Sequence, residues 1–309
     1  MVPSQFGGDD RIVLLFPGAL GDFLCFAAAL AGLRRATAAR LAVAARGEWA
    51  ALLDEDSHER LSIDGRAVAE LFGEGEMAAA REAFAGAAAI HSWTGHGDRD
   101  FERRLRSLSP EVALHPFRSF APGEHARAYY ARCLGVTPSE PDVALHPGAV
   151  SWAAAALRGV PSPLLAVHAG SGSARKNWAG MGALARWWRN RGGGVVWIEG
   201  PAETGAAVVP PDAVIVREDL PRVAAVLAAS AAYAGNDSGI SHLAAALAVP
   251  GIALFGDSDP VHWRPHSPRL RVVEASGSCT ACAVGICLHR LPLARAAAAL
   301  LDSVPGGRP

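Results

Sequence analysis

Short apolar runs alternate with amphipathic stretches along nearly the whole chain. The runs fall at Ile12–Phe16, Leu41–Ala45, Ala87–Trp93, Val112–His115, Leu164–His168, Val195–Glu199, Val214–Val216, Ala231–Ala234, Ile252–Phe255 and Leu270–Val273. Most are continuously apolar, as expected of strands covered on both faces. Between them, stretches such as Phe23–Arg35, Gly180–Arg191 and Leu220–Ala229 carry helical spacing. Alternation of this kind predicts open, mostly parallel sheets of the α/β class. A chain of 309 residues has room for two domains. The boundary is expected within 137–163, which holds Pro138, Pro141, Pro147, Pro161 and Pro163 around one short helical patch. The expected architecture is therefore two Rossmann-like, doubly wound domains, 1–150 and 151–309, facing across a cleft. Ligands of such folds sit at the carboxyl ends of strands, where strand order reverses.

Composition narrows the function. The formal net charge of -1 lacks the broad basic field of a dedicated nucleic-acid binder, so no nucleic-acid partner is expected. The start of the chain has no basic-then-apolar succession of a signal peptide. No uncharged apolar run approaches the roughly 20 residues that span a bilayer. Five cysteines in a chain of this length do not make a secreted disulfide scaffold. The expected location is the cytoplasm. Alanine is abundant and lysine rare beside arginine, so alanine runs carry no functional weight while a lysine in a polar turn does.

Four polar turns follow predicted strands. In Phe16-Pro17-Gly18-Ala19-Leu20-Gly21-Asp22, the glycines Gly18 and Gly21 permit close backbone approach to a ligand. Asp22 stands where a helix begins, so it is either a helix cap or a carboxylate free to act as a general base. The spacing is neither a dinucleotide fingerprint nor a P-loop. In His168 through Trp178, a Gly/Ser turn with Ser171 and Ser173 runs into Arg175 and Lys176. Backbone N–H groups, hydroxyls and an ammonium converging there suit a diphosphate. In Trp197 through Glu203, Glu203 is placed either to bond ribose hydroxyls or to sit in the first turn of a helix. In Asn236-Asp237-Ser238-Gly239, a small-residue strand runs into an alanine-rich helix whose opening N–H groups and dipole suit a phosphate. His242 lies one turn beyond Ser238.

Taken together these ordered motifs resemble the ADP-heptose:lipopolysaccharide heptosyltransferase family, glycosyltransferases of the GT-B fold. The resemblance rests on Gly18-Ala19-Leu20-Gly21-Asp22, His168 through Trp178, Gly200-Pro201-Ala202-Glu203, Asp237-Ser238-Gly239 with His242-Leu243, and Phe255-Gly256 with Asp259-Pro260. It implies an N-terminal acceptor domain and a C-terminal domain for the nucleotide sugar. It also implies inverting transfer without a metal or other cofactor, from a donor expected to be ADP-heptose. Asp22 matches the family's proposed base. Ser171, Ser173 and Lys176 match its diphosphate loop, with Lys176 also assisting the reaction. Glu203 matches its ribose contact, and Asp237, Ser238, Gly239 and His242 its donor-phosphate turn. Relatives often carry a basic residue before the Gly-Asp turn, where this chain has Phe16-Pro17.

The arginine-rich stretch at Arg99, Arg103, Arg104 and Arg106 is either a solvated helix face or a contact for an anionic glycan or glycolipid acceptor at the inner membrane. Cys279-x-x-Cys282-x-x-x-x-Cys287-x-His289 offers either four soft ligands to a structural metal or plain thiols. Other GT-B reactions, including sugar-nucleotide epimerisation, and an inert nucleotide-sugar-binding module are the competing readings. A module has no use for both Asp22 and Lys176.

Overall fold

The computed structural model describes residues 3–200, 213–276 and 287–304. It divides into two compact units, Met1–Ala144 and Leu145–Pro309. The division falls ahead of a helix, Pro147–Ala156, that the sequence-based boundary at 150 would have cut. Pro147 begins that helix, where its missing N–H costs nothing, so the proline marks a start rather than a linker.

In the first unit the elements run β1 (Arg11–Leu15), α1 (Leu20–Ala36), β2 (Arg40–Ala45), α2 (Gly47–Ala50), β3 (Glu59–Ser62), α3 (Arg66–Leu71), α4 (Ala78–Ala83), β4 (Ala87–Ser92), α5 (Arg99–Arg106), β5 (Glu111–Leu114) and α6 (Ala126–Leu134). The five strands form one parallel sheet in the order β3-β2-β1-β4-β5. From β1 the chain moves outward to β2 and β3, then returns to β4 on the other side. The switch point therefore lies between β1 and β4. The strand β3 escapes sequence analysis because it is an edge strand reading Glu-Arg-Leu-Ser, mostly exposed, with no apolar run.

One face of this sheet packs Val13, Leu15, Ile90, Phe101 and Leu105. At the carboxyl end of β1 an aromatic cluster gathers: Phe16 stacks on Phe26 at 4.3 Å and meets Tyr130 edge-on at 5.1 Å, and Phe26 meets Trp93 edge-on at 5.2 Å. Such geometries are favoured by the ring quadrupoles, about 1 kcal/mol per pair beyond burial.

The second unit runs α7 (Pro147–Ala156), β6 (Leu164–His168), α8 (Met181–Arg189), β7 (Gly194–Ile198), β8 (Val214–Val216), α9 (Leu220–Ala228), β9 (Ala232–Asn236), α10 (Gly239–Ala246), β10 (Gly251–Phe255), α11 (Pro260–Trp263), β11 (Leu270–Glu274) and α12 (Leu293–Ser303). Its sheet is parallel throughout, ordered β11-β10-β9-β6-β7-β8, with the switch point between β6 and β9. Strands β6, β7, β9 and β10 are buried along their whole length, which is why they read as unbroken apolar runs. The core joins Leu165, Val167, Trp188, Trp197, Ile252, Leu254 and Leu300. The predicted α/β class with two doubly wound parallel sheets is the class found.

Gly32 in the middle of α1 gives a test of the packing. A helix-interior Gly→Ala change ordinarily gains about 1 kcal/mol. Here an added Cβ would stand 2.2 Å from the Thr137 carbonyl oxygen, on the segment that follows α6. Gly32→Ala should therefore destabilise the protein, by about 1–3 kcal/mol. Urea unfolding of the two proteins measures this, and a more stable variant would contradict the packing described.

Candidate functional site

At the first switch point, β1 ends in the turn Phe16–Ala19, and α1 opens with Ala19 as its cap residue. Asp22 is thus inside the first helical turn rather than the cap, and its charge is favoured there by the helix dipole. The carboxylate is almost wholly buried, with a side-chain exposure of 4%. Three donors reach it: Arg118 Nε to Oδ1 at 2.9 Å, Arg118 Nη2 to Oδ2 at 2.6 Å, and the Tyr130 hydroxyl to Oδ1 at 3.2 Å. The ion pair raises the guanidinium of Arg118, chiefly through its hydrogen bond to Asp22. Burial and the Asp22 charge push the Tyr130 phenol well up, so it stays a donor. Burial and the same charge push the thiol of Cys25 up, leaving it an inert core residue.

Gly18 is required by packing rather than by ligand approach. A Cβ there would meet the Phe16 ring at 2.4 Å and the Asp22 Cβ at 2.7 Å. Its carbonyl accepts from Trp49 Nε1 at 3.1 Å, which ties the turn to α2. Gly21 is the second residue of α1. Arg103 and Arg104 are not brought to this turn. They lie in the last turn of α5, which runs from the carboxyl end of β4 towards the amino end of β5. There Arg103 pairs with Asp100, Arg106 with Glu102 at 2.8 Å, and Arg104 donates to the Gly75 carbonyl at 2.6 Å. These local contacts make α5 a self-paired surface helix.

At the second switch point two turns meet, one after β6 and one after β9. Asn236, fully buried at the end of β9, staples them together. Its Nδ2 donates to the Ala169 carbonyl at 2.6 Å, and its Oδ1 accepts from the Trp178 backbone N–H at 3.1 Å. Between those anchors the serine loop is held from within. Ser171 Oγ lies 2.6 Å from the Ser173 carbonyl and 2.7 Å from Asn177 Oδ1, and it accepts from the Ser173 N–H at 3.2 Å. Lys176 ends the loop, its Nζ 2.7 Å from Oδ2 of the nearly buried Asp237. The Lys176 side chain remains 37% exposed.

Ser238 caps α10, its Oγ accepting from the Ser241 N–H at 3.4 Å and lying 3.2 Å from His168 Nδ1. Gly239 is the first residue of α10, and His242, one turn on, is buried at 7% exposure. Ser241 Oγ donates to the Asn236 carbonyl at 2.6 Å and lies 2.9 Å from the Tyr233 hydroxyl, so the start of the helix is fixed from below. The turns thus bring together a helix N-terminus, a serine loop and one ammonium, groups whose chemistry suits an anion. Asp237 aims that ammonium, and its own negative charge makes direct contact with a phosphate unfavourable.

Glu203 lies outside the described residues, as do Cys279 and Cys282. Among the described residues near that edge, Glu199 at the end of β7 is buried and accepts from Arg217 Nε at 2.8 Å. Cys287 is buried, His289 is exposed, and among the described residues no group of three or more His, Cys, Asp or Glu side chains is placed to hold a metal. Sequence analysis did not find Arg118, Tyr130 or the stapling role of Asn236. Only Asn236 left a signal, as a polar residue closing a strand of small residues.

Comparison with known proteins bears on the second unit above all. A model of glycosyltransferase family 9 (heptosyltransferase) matches residues 134–290. No curated protein matches the chain by sequence. Among solved structures, the glycosyl transferase family 9 protein of Veillonella parvula is similar at 18% identity and TM-score 0.79, covering 96% of this chain and 98% of its own. The E. coli ADP-heptose LPS heptosyltransferase II is similar at 18% identity and TM-score 0.69, covering 95% and 98%. TibC of enterotoxigenic E. coli, an iron-containing dodecameric glycosyltransferase, is similar at 18% identity and TM-score 0.57, covering 97% and 75%. At these identities the likeness is one of fold.

Removing the staple tests the geometry of the second switch point. Asn236→Ala strands the Ala169 carbonyl and the Trp178 N–H in a buried site and should cost about 2–4 kcal/mol of stability. Thermal and urea unfolding of the variant would show it, and wild-type stability would contradict the account of the two turns.

Proposed function

Because the chain belongs to glycosyltransferase family 9 (heptosyltransferase), we propose that it transfers a heptose from ADP-heptose to a hydroxyl of a lipopolysaccharide-core or related glycan acceptor. The observation that carries this reading is the anion cradle at the β6/β9 switch point, where Lys176 stands beside the N-terminus of α10. The name of the E. coli relative, an ADP-heptose LPS heptosyltransferase, supports ADP-heptose as donor and a lipopolysaccharide acceptor.

The chemistry follows from where charge builds. As the bond between the anomeric carbon and the diphosphate oxygen breaks, negative charge collects on the departing ADP. Lys176, Ser171, Ser173 and the N–H groups at Ser238 and Gly239 stabilise that charge, in a site arranged before the reaction begins. Asp237 holds Lys176 in place. His242, within the first turns of α10, belongs to the same donor-phosphate turn, and the ribose contact is assigned to Glu203 on its sequence motif. Asp22 takes the proton of the acceptor hydroxyl as its oxygen bonds to the anomeric carbon. One displacement inverts the configuration at that carbon. The chain's own cations supply the positive charge, so transfer needs no divalent metal and no further cofactor. The enzyme works in the cytoplasm, where nucleotide sugars are made, and meets its glycolipid acceptor at the cytoplasmic face of the inner membrane. Among the described residues no helix is long and apolar enough to cross a membrane.

Asp22→Asn should lower transfer by about 10²–10⁴-fold while leaving ADP affinity unchanged by calorimetry. Transfer at the wild-type rate would remove Asp22 from the mechanism. Lys176 offers a cleaner probe, since it is the only lysine in the chain. An amine-selective reagent should modify its ε-amine, and saturating ADP should protect it, as read by peptide mass. Equal modification with and without ADP would refute its role. Transfer should also persist at the full rate in EDTA, and its loss on chelation would replace the lysine-based account with a metal-based one.

A further inference from the structure

The surroundings of Asp22 hold it by two donors of opposite character, one fixed and one free to leave. We propose that Tyr130 is the positioning residue of Asp22 and that Arg118 is a displaceable cap, which keeps the carboxylate from activating water until an acceptor hydroxyl takes its place. This rests on the reading of Asp22 as the base.

Lone-pair accounting comes first. A carboxylate oxygen has about two acceptor sites. Oδ1 has both filled, by the Tyr130 hydroxyl at 3.2 Å and Arg118 Nε at 2.9 Å. Among the described residues Oδ2 accepts only from Arg118 Nη2, at 2.6 Å, so it is the atom with capacity left for a proton. The Asp22 side chain is 4% exposed and the Arg118 side chain paired with it is 48% exposed, so Arg118 lies on the solvent side of the carboxylate.

Tyr130 cannot move. It is fully buried, edge-on to Phe16 at 5.1 Å and to Trp93 at 6.0 Å. Arg118 is less enclosed: it stands on the segment between β5 and α6, with its side chain 48% exposed. Its guanidinium lies 5.1 Å over the Phe117 ring, which is itself 38% exposed. The pair is bidentate and its carboxylate is buried, so uncovering Asp22 carries a desolvation cost that only a bound acceptor, placing its own hydroxyl on the carboxylate, offsets. When the guanidinium swings away, Tyr130 still holds Oδ1 and keeps the carboxylate plane fixed, with Oδ2 free.

The cap has a purpose in a transferase. A base exposed to solvent beside a bound nucleotide sugar would hydrolyse it: a water proton would pass to Oδ2, the water oxygen would bond to the anomeric carbon, and the sugar–diphosphate bond would break. The products would be free sugar and ADP, a wasted donor. With Arg118 across Oδ2, only an acceptor bound well enough to displace it gains the use of the base. The same coupling of catalytic assembly to the right substrate is seen generally in induced fit.

The test compares wild type, Arg118→Ala, Tyr130→Phe, Asp22→Asn and the Asp22→Asn/Arg118→Ala double variant. Coupling of a small amine to carboxylates by carbodiimide, followed peptide by peptide, needs no substrate. Asp22 should couple at least about tenfold faster in Arg118→Ala than in wild type, a factor equal to 1.4 kcal/mol in barrier. With ADP-heptose and no acceptor, Arg118→Ala should release free heptose several-fold faster than wild type, and the double variant should return to the wild-type rate. Tyr130→Phe should lower kcat about tenfold with both KM values unchanged, since the loosened carboxylate affects the chemical step and not binding. Equal coupling of Asp22 in wild type and Arg118→Ala overturns the cap. Unchanged kcat in Tyr130→Phe overturns the positioning role. Full transfer by Asp22→Asn defeats the base itself, whereas an inactive Asp22→Asn with unchanged coupling defeats the cap alone.

Discussion

A parallel sheet buried on both faces leaves its polar chemistry one place to emerge, the carboxyl edge, and within that edge the switch point where neighbouring connections diverge. Both units obey this constraint. The strands β1, β6, β9 and β10 are buried along their length, so their charged and amide side chains are confined to their ends, as with His168 and Asn236, and the remaining polar chemistry appears in the turns that follow. Asp22 stands after β1, the serine loop with Lys176 after β6, and Asp237 and Ser238 after β9. Each site residue is where it is because the strand before it ended.

Within each unit, buried polar groups at the carboxyl edge must satisfy one another. That need explains the ion pair found in each. Lys176 rests on Asp237 and Asp22 rests under Arg118. At the second switch point a nearly buried carboxylate holds a partly exposed lysine, and at the first a half-exposed arginine covers a buried carboxylate. In the proposed mechanism the lysine meets the leaving diphosphate and the arginine gives way to the acceptor. The aromatic cluster around Phe16, Phe26, Trp93 and Tyr130 gives the second behaviour its rigid floor.

Much of this was legible in the sequence, for identifiable reasons. Buried parallel strands write themselves as apolar runs, so their positions and the α/β class could be read directly. The turns after β6 and β9 carry glycine, serine and a lysine in a chain with no other. Less legible was whatever depends on distance in space. Strand β3 is polar and at the edge, and pattern gives it no signal. Arg118 follows Asp22 by 96 residues and Tyr130 by 108, and neither belongs to a motif. The arginines of α5 read either as a solvated helix face or as an acceptor contact, and what the sequence did not show is which acidic neighbours at helical spacing pair with them. Pro147 looked like part of a linker and is the first residue of a helix.

The account comes down to a single displacement at an anomeric carbon, with a carboxylate taking the proton and fixed cationic groups taking the leaving charge. The configuration of the product reads that event directly. With ADP-heptose of known anomeric configuration and a glycan acceptor, the coupling constants of the new anomeric proton by NMR should report the opposite configuration in the product. Retention of the donor's configuration would require a second displacement through a group this account does not contain, and would contradict it.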